Sequence, residues 1–257
     1  SEGMLPGDKV LFRLKEGGIG YDPQKAGGAV ILETLVEAGS VEITVPDMKL
    51  WDCETPYLYG VDITIERAGK PIDKIEGYTA FRKISKLLYP KKDRNRNSYN
   101  RIALNNVPVF QFGPLDQGWW PDGLYTAPSD EALRFDIEQT KAWGFNMIRK
   151  HIKVEPARWY YWCDVLGMQV WQDMPCVGDY CKRTPEDLRS EEVRRNNSNS
   201  WSRDSFMGGT DAVIPQEWKD NYYKEWSEII DCLKPFQCIC VWVPFNEGWG
   251  QFDTAAA

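Results

Sequence analysis

From about Val107 onward, strand-length apolar runs alternate with helix patterns, and this alternation limits the fold more than any other feature of the chain. Val107–Phe112 reads as the first strand. Pro128-Ser129-Asp130-Glu131 then supplies a cap and first-turn acids. Leu133, Ile137 and Thr140 mark one helix face, and Gly144 stands where a left-handed residue ends a helix. Phe145–Ile148 is the second strand. Pro156, a face of Trp159, Cys163 and Leu166, and then Gly167 repeat the grammar before a third strand at Met168–Trp171. Trp218, Tyr222, Trp226, Ile229, Ile230 and Leu233 space out a third helix that Pro235 closes, and Cys238–Phe245 is a nearly unbroken apolar strand. Strands and helices in this order demand parallel strands joined by crossovers, so the choice is an open doubly wound sheet or a barrel.

Before this region, to about Lys86, the pattern is all β. Short alternating runs at Val10–Leu14, Ala29–Val36, Val41–Val45, Leu58–Ile65 and Ile72–Ile84 are separated by turn chemistry such as Gly17-Gly18 and Ala68-Gly69-Lys70-Pro71. That spacing fits a sandwich. The polar segment Lys91–Ser98 marks a junction or surface loop. A longer polar segment, Cys176 to about Ile214, reads as a functional loop or an insertion.

Charge and composition exclude several function classes. With 31 Lys+Arg against 38 Asp+Glu the chain carries a formal charge of -7, which repels a phosphate backbone, so no nucleic-acid partner is expected. No run approaches the roughly 20 apolar residues that span a bilayer, and Ser1-Glu2-Gly3-Met4 lacks a signal-peptide core, so no membrane partner is expected either. The seven cysteines lack the paired spacing of a disulfide framework and read mostly as buried thiols, Cys238 and Cys240 sharing one strand face. A single histidine rules out a His-rich metal site, and neither metal nor cofactor is expected. The 12 Trp and 12 Tyr offer flat apolar surfaces suited to sugar rings.

Each strand ends in polar residues: Asp116 and Gln117; Arg149, Lys150 and His151; Gln172 and Asp173; Asn246 and Glu247. In a parallel fold these ends share one edge, where such folds place their sites. A nucleotide-binding sheet needs a glycine-rich first turn to cradle phosphate. Here that turn is Gln117-Gly118-Trp119-Trp120-Pro121, which provides stacking surface instead.

The sharpest motif is Val241-Trp242-Val243-Pro244-Phe245-Asn246-Glu247-Gly248-Trp249. Asn-Glu at the end of a fourth strand resembles the acid/base motif of glycoside hydrolase family 2. The likeness extends to Trp51, Glu54–Tyr59 and Phe81-Arg82-Lys83, to Asn105–Phe110 and Asp122-Gly123, to Trp143–Arg149, and to Cys163–Trp171. The resemblance implies an immunoglobulin-like β-sandwich over residues 1–88, followed over 89–257 by strands 1 to 4 of a TIM (β/α)8 barrel. It also implies retaining hydrolysis of terminal β-linked sugars, with Glu247 as general acid/base and the nucleophile outside this sequence. Flanking Trp242, Phe245 and Trp249 would raise the Glu247 pKa by desolvation. Asn246, Arg149, Asp116, Asp173, Trp119 and Trp249 are the expected substrate-binding residues. His151 stands among them either as a sugar-hydroxyl donor or as a scaffold histidine, because Lys150-His151-Ile152-Lys153 departs from the family's Ser-His-Tyr-Pro. The competing class is a non-catalytic carbohydrate-binding or structural fragment. A half-barrel would expose an apolar edge, so homo-oligomerisation, aggregation or completion by further chain is expected.

Overall fold

A computed structural model describes residues 3–23, 28–36, 39–89, 99–175, 215–246 and 251–253. The first sheet is antiparallel, in the order β2 (Val30–Val36), β1 (Lys9–Ile19), β3 (Tyr57–Arg67), β4 (Lys70–Thr79). Its β3–β4 hairpin turns on Ala68 and Gly69, both at positive φ (50° and 74°), a mirror-image turn whose twist matches that of the strands. A second antiparallel sheet joins β5 (Ile84–Tyr89), β6 (Tyr99–Leu104) and β7 (Val107–Pro108). The third sheet is parallel: β8 (Leu115–Asp116), β9 (Met147–Lys150), β10 (Gln169–Asp173) and β11 (Ile239–Val243) lie side by side in chain order. Helices α1 (Asp130–Ala142), α2 (Ala157–Leu166) and α3 (Gln216–Leu233) stand between successive parallel strands in the chain.

Local signals account for the helix ends. The Ser129 hydroxyl accepts from the Ala132 amide at 3.2 Å, Asp130 and Glu131 complement the positive end of α1, and Gly167 ends α2 at φ 73°. Gly167 must also lack a side chain, because a Cβ there would lie 2.6 Å from the Cys53 carbonyl oxygen.

Three expectations need correction. Val41–Val45 carries no strand; both sides of β3 are already paired, and Ile43 and Val45 instead pack on Leu14, Tyr57 and Tyr59 across the sheet face. The run Ile72–Ile84 is two strands, interrupted where Phe81 accepts from the Trp51 amide (2.8 Å) and Lys83 donates to Asn105 (2.9 Å), handing the chain from one sheet to the next. Of Val107–Phe112, only Val107–Pro108 is strand, and it pairs antiparallel with β6; the first parallel strand is the shorter Leu115–Asp116. Phe110 and Phe112 are held by the Asn146 side-chain amide, which bonds both their backbones at 2.9 Å. The β5–β6–β7 sheet runs across residues 88 and 89. Residues 91–98 and 176–214 lie outside the described residues.

The first sheet and the parallel sheet are joined at a polar seam built on Asp164. This buried residue accepts from the Trp51 indole through its carbonyl (2.8 Å), from the Tyr78 hydroxyl through Oδ2 (2.8 Å) and from the Cys238 amide through Oδ1 (2.6 Å). Arg82 donates to the Gln237 and Ile239 carbonyls at 2.7 and 2.6 Å. Around these bonds one apolar cluster runs from Tyr21, Trp51 and Leu58 to Ile148, Tyr160, Val170 and Ile239. All these anchors lie at the N-terminal ends of the parallel strands, which leaves the opposite ends to the loops.

Burial lifts the Asp164 carboxyl from 3.8 to about 6, against the pull of its hydrogen-bond donors. Its folded-state pKa therefore exceeds the unfolded one, so its contribution to stability is fullest below 3.8 and is lost as pH rises through about 6. Asp164→Asn retains an acceptor for Cys238 and can donate to Tyr78. Melts of both proteins across this range should show the variant gaining on the native protein as pH rises, by on the order of 3 kcal/mol at full ionisation. A pH-independent difference would contradict this reading.

Candidate active site

Strand register sorts the polar strand ends onto two faces. Asp116, Lys150, Gln172 and Trp242 are aligned neighbours, as are Leu115, Arg149, Trp171 and Val241. Successive side chains on a strand point to opposite faces, so adjacent Arg149 and Lys150 serve different environments. The Lys150 ammonium lies 4.3 Å from the Trp159 ring centroid, which places its row on the side covered by α2.

On the other face Arg149 joins two strands. Its Nε and Nη2 bond the two carboxylate oxygens of Asp173 at 3.0 and 2.8 Å, and Nη2 also reaches Asn246 Oδ1 at 2.8 Å. Asp173 is fully buried and Asn246 nearly so. A planar guanidinium suits this bidentate geometry, and the pair fixes the fork.

Asp116 is not brought to this cluster. Its Oδ2 accepts from Lys150 at 2.5 Å and its Oδ1 from the Gly118 amide at 2.7 Å. Lys150, only 1% exposed, also bonds Glu155 at 2.9 Å, and Lys153 approaches the same Glu155 oxygen at 3.0 Å. This row of charges, buried at Lys150, Lys153 and Glu155, was not legible as a unit: a Lys and a Glu five residues apart meet only because the chain turns between β9 and α2. Lys153 further donates to the carbonyls of Gly118 (2.7 Å) and Tyr125 (2.9 Å), clamping the loop that carries Trp119. Trp119 packs on Tyr125, with centroids 4.3 Å apart.

His151 is buried; its amide donates to the Asp116 carbonyl (2.9 Å), and its Nδ1 lies 3.1 Å from Gln117 Nε2. Tyr160 donates to Gln172 at 2.6 Å, and Gln172 returns bonds to the Lys153 and Asp173 carbonyls, each 2.8 Å, so it braces both clusters. Glu247 and Trp249 lie outside the described residues.

Cys238 and Cys240 do not share a face. Cys238 touches the Tyr160 carbonyl on α2, whereas Cys240 faces Gln111 and the Val170 carbonyl, because the pairing shifts register between Val170 and Trp171. Burial raises the thiol pKa of both, Cys240 to about 12, which leaves them protonated and inert near neutrality.

Residues 14–82 match the family described as Glycosyl hydrolases family 2. Over those residues the chain is similar to these enzymes. A β-galactosidase of Lactococcus lactis is 29% identical over 130 residues, covering 50% of this chain and 12% of that protein. A Caenorhabditis elegans protein named "Probable beta-mannosidase" is 25% identical over 189 residues, covering 68% of this chain and 20% of its own. Among solved structures, a Ruminococcus gnavus β-glucuronidase shares the fold with a TM-score of 0.65 at 18% identity, over 95% of this chain and 35% of that one. A Bacteroides uniformis β-glucuronidase does so with a TM-score of 0.60 at 22% identity, over 91% and 23%. The chain thus spans about a third or less of the length of each of these relatives.

Removing Lys150 leaves the Asp116 and Glu155 carboxylates facing each other with one ammonium fewer. Lys150→Met is expected to destabilise the fold by about 3 kcal/mol in denaturant melts, and adding Glu155→Gln should restore part of that loss. A loss below about 1 kcal/mol would show that the row contributes little.

Proposed function

We propose that this chain carries the acid/base part of a retaining glycoside hydrolase acting on terminal β-linked sugars. In this reading the parallel sheet is the first half of a (β/α)8 barrel over residues 89–257, preceded by an immunoglobulin-like sandwich over 1–88. The strand order supports it. A doubly wound sheet reverses direction at a switch point, whereas β8 to β11 follow one another without reversal.

The observation that carries the proposal is the Arg149 bridge between Asp173 and Asn246. Asn246 immediately precedes Glu247, so fixing its side chain fixes the strand end from which the acid emerges. Asn246 offers its amide nitrogen to a sugar hydroxyl, while Asp173, buried and bonded twice to Arg149, acts on the sugar through Arg149. Glu247 donates its proton to the glycosidic oxygen as the anomeric C–O bond breaks. A second carboxylate, roughly 5 to 5.5 Å away and contributed by a further part of the protein, forms the glycosyl ester. Glu247, now ionised, takes a proton from the water that cleaves this ester, and the anomeric configuration is retained.

The test uses the full-length protein and a panel of β-galactosides, β-glucuronides and β-mannosides. Glu247→Gln should lower turnover about 10²- to 10⁴-fold, and proton NMR should show the β-anomer as first product. Arg149→Lys, which keeps the charge but not the fork, should cost on the order of 10²-fold. Unchanged turnover in Glu247→Gln would remove this residue from the mechanism.

A further inference from the structure

We propose that Tyr222 is a positioning residue: from the helix side of the parallel sheet it holds the exit of β11, and with it Asn246 and Glu247. This rests on the glycosidase reading above and deepens it, by assigning the group that keeps the acid within reach of the glycosidic oxygen.

Helical spacing brings Lys219, Tyr222, Tyr223 and Trp226 to one face of α3. Trp226 meets Trp242 of β11 edge-on, with ring centroids 5.7 Å apart at 85°. One turn earlier, Tyr222 lies flat on Phe245, with 5.3 Å between centroids and 9° between planes, and its hydroxyl donates to the Pro244 carbonyl. Helix α3 therefore grips the end of the strand at Trp242, Pro244 and Phe245 in turn. Asn246 follows at once, and Arg149 holds its Oδ1 at 2.8 Å on the opposite face of the sheet. The strand exit is thus fixed from both sides. Stacking alone would let it slide, whereas the bond to Pro244 is directional.

The chain then comes back to the same tyrosine. Phe252 is fully buried, with its ring centroid 5.1 Å from Tyr222, 5.6 Å from Tyr223 and 5.4 Å from Phe245, edge-on to each. Next to it Asp253 pairs with Lys219 at 2.8 Å. Glu247 stands in sequence between Phe245 and Phe252, and both of these rings rest on Tyr222. A short connection whose flanks are both fixed has few conformations left to lose. The gain matters for a general acid, because a displacement of about 1 Å costs on the order of 10²-fold in rate.

Leaving-group dependence separates positioning of the acid from support of the fold. Protonation by Glu247 is needed for a group that departs poorly as an anion, such as phenolate, and hardly matters for 2,4-dinitrophenolate. The full-length protein is assayed with the phenyl and 2,4-dinitrophenyl β-glycosides of whichever sugar of the panel it hydrolyses, and the phenyl-to-dinitrophenyl ratio of kcat/KM is read. Glu247→Gln is the reference and should lower this ratio about 10²-fold or more. Tyr222→Leu should lower it about tenfold, and Tyr222→Phe, which keeps the ring and loses the bond to Pro244, by less. A general weakening of the fold lowers both substrates together. A ratio unchanged in Tyr222→Leu therefore overturns the assignment and leaves the glycosidase reading intact. If Tyr222→Leu does not fold, Tyr222→Phe decides by the same ratio. If Glu247→Gln leaves the ratio unchanged, or the native protein hydrolyses no glycoside, the acid/base reading fails and takes the assignment with it.

Discussion

The arrangement depends on a carboxyl group kept out of water. Asp164, in the last turn of α2, has three acceptor atoms in use, its backbone carbonyl to Trp51 and its carboxylate oxygens to Tyr78 and Cys238. Two of these partners come from the β region at the start of the chain and one from the entry to β11. The cost of burying the group is visible in its raised pKa. What the fold gains is a fixed relation between three segments distant in sequence, because the bonds are directional where the surrounding apolar contacts are not. Truncating this side chain would leave the Tyr78 hydroxyl and the Cys238 amide to find new partners inside a closed core, while the Trp51 indole kept its backbone carbonyl.

With the seam at the entry to β11, the polar residues Asp116, Arg149, Lys150, Asp173 and Asn246 gather at the opposite, C-terminal ends of the parallel strands. Strand alternation then divides them. Arg149 and Lys150, adjacent in sequence, organise two separate networks: one joins Asp173 to Asn246, the other joins Asp116 to Glu155. Gln172 stands between the two and bonds to the backbone of each.

Much of this was legible in the amino-acid sequence, for identifiable reasons. Helix α1 announces itself through Ser129-Asp130-Glu131, whose cap and charge effects are local, and the spacing of Trp218, Tyr222, Trp226 and Leu233 marks α3 by the same local rule. The first parallel strand was misplaced because Val107–Phe112 is longer and more apolar than Leu115–Asp116. What decides between them is the Asn146 side chain, 34 and 36 residues further along and silent in any local window. Val41–Val45 has the alternation of a strand, but Ile43 and Val45 pack on the face of the first sheet instead of pairing at one of its edges, a fact that belongs to the sheet and not to the segment. In the site, Arg149, Asp173 and Asn246 could be picked out as strand ends. The burial of Lys150 could not, because a lysine beside an arginine reads as a second mouth residue until the register is known. Tyr125 joins Trp119 only through closure of the intervening loop.

The opposed placement of seam and mouth has an evolutionary corollary. Substitutions between Gln117 and Tyr125 alter what the mouth presents without touching any bond made by Asp164, and substitutions at the seam leave the chemistry of the mouth unchanged so long as the strands keep their register. The two ends of the sheet can therefore drift on separate clocks. A lineage could exchange one ligand preference for another by rebuilding loops, while its β region and its parallel strands went on recognising each other through the same carboxyl, indole and phenol.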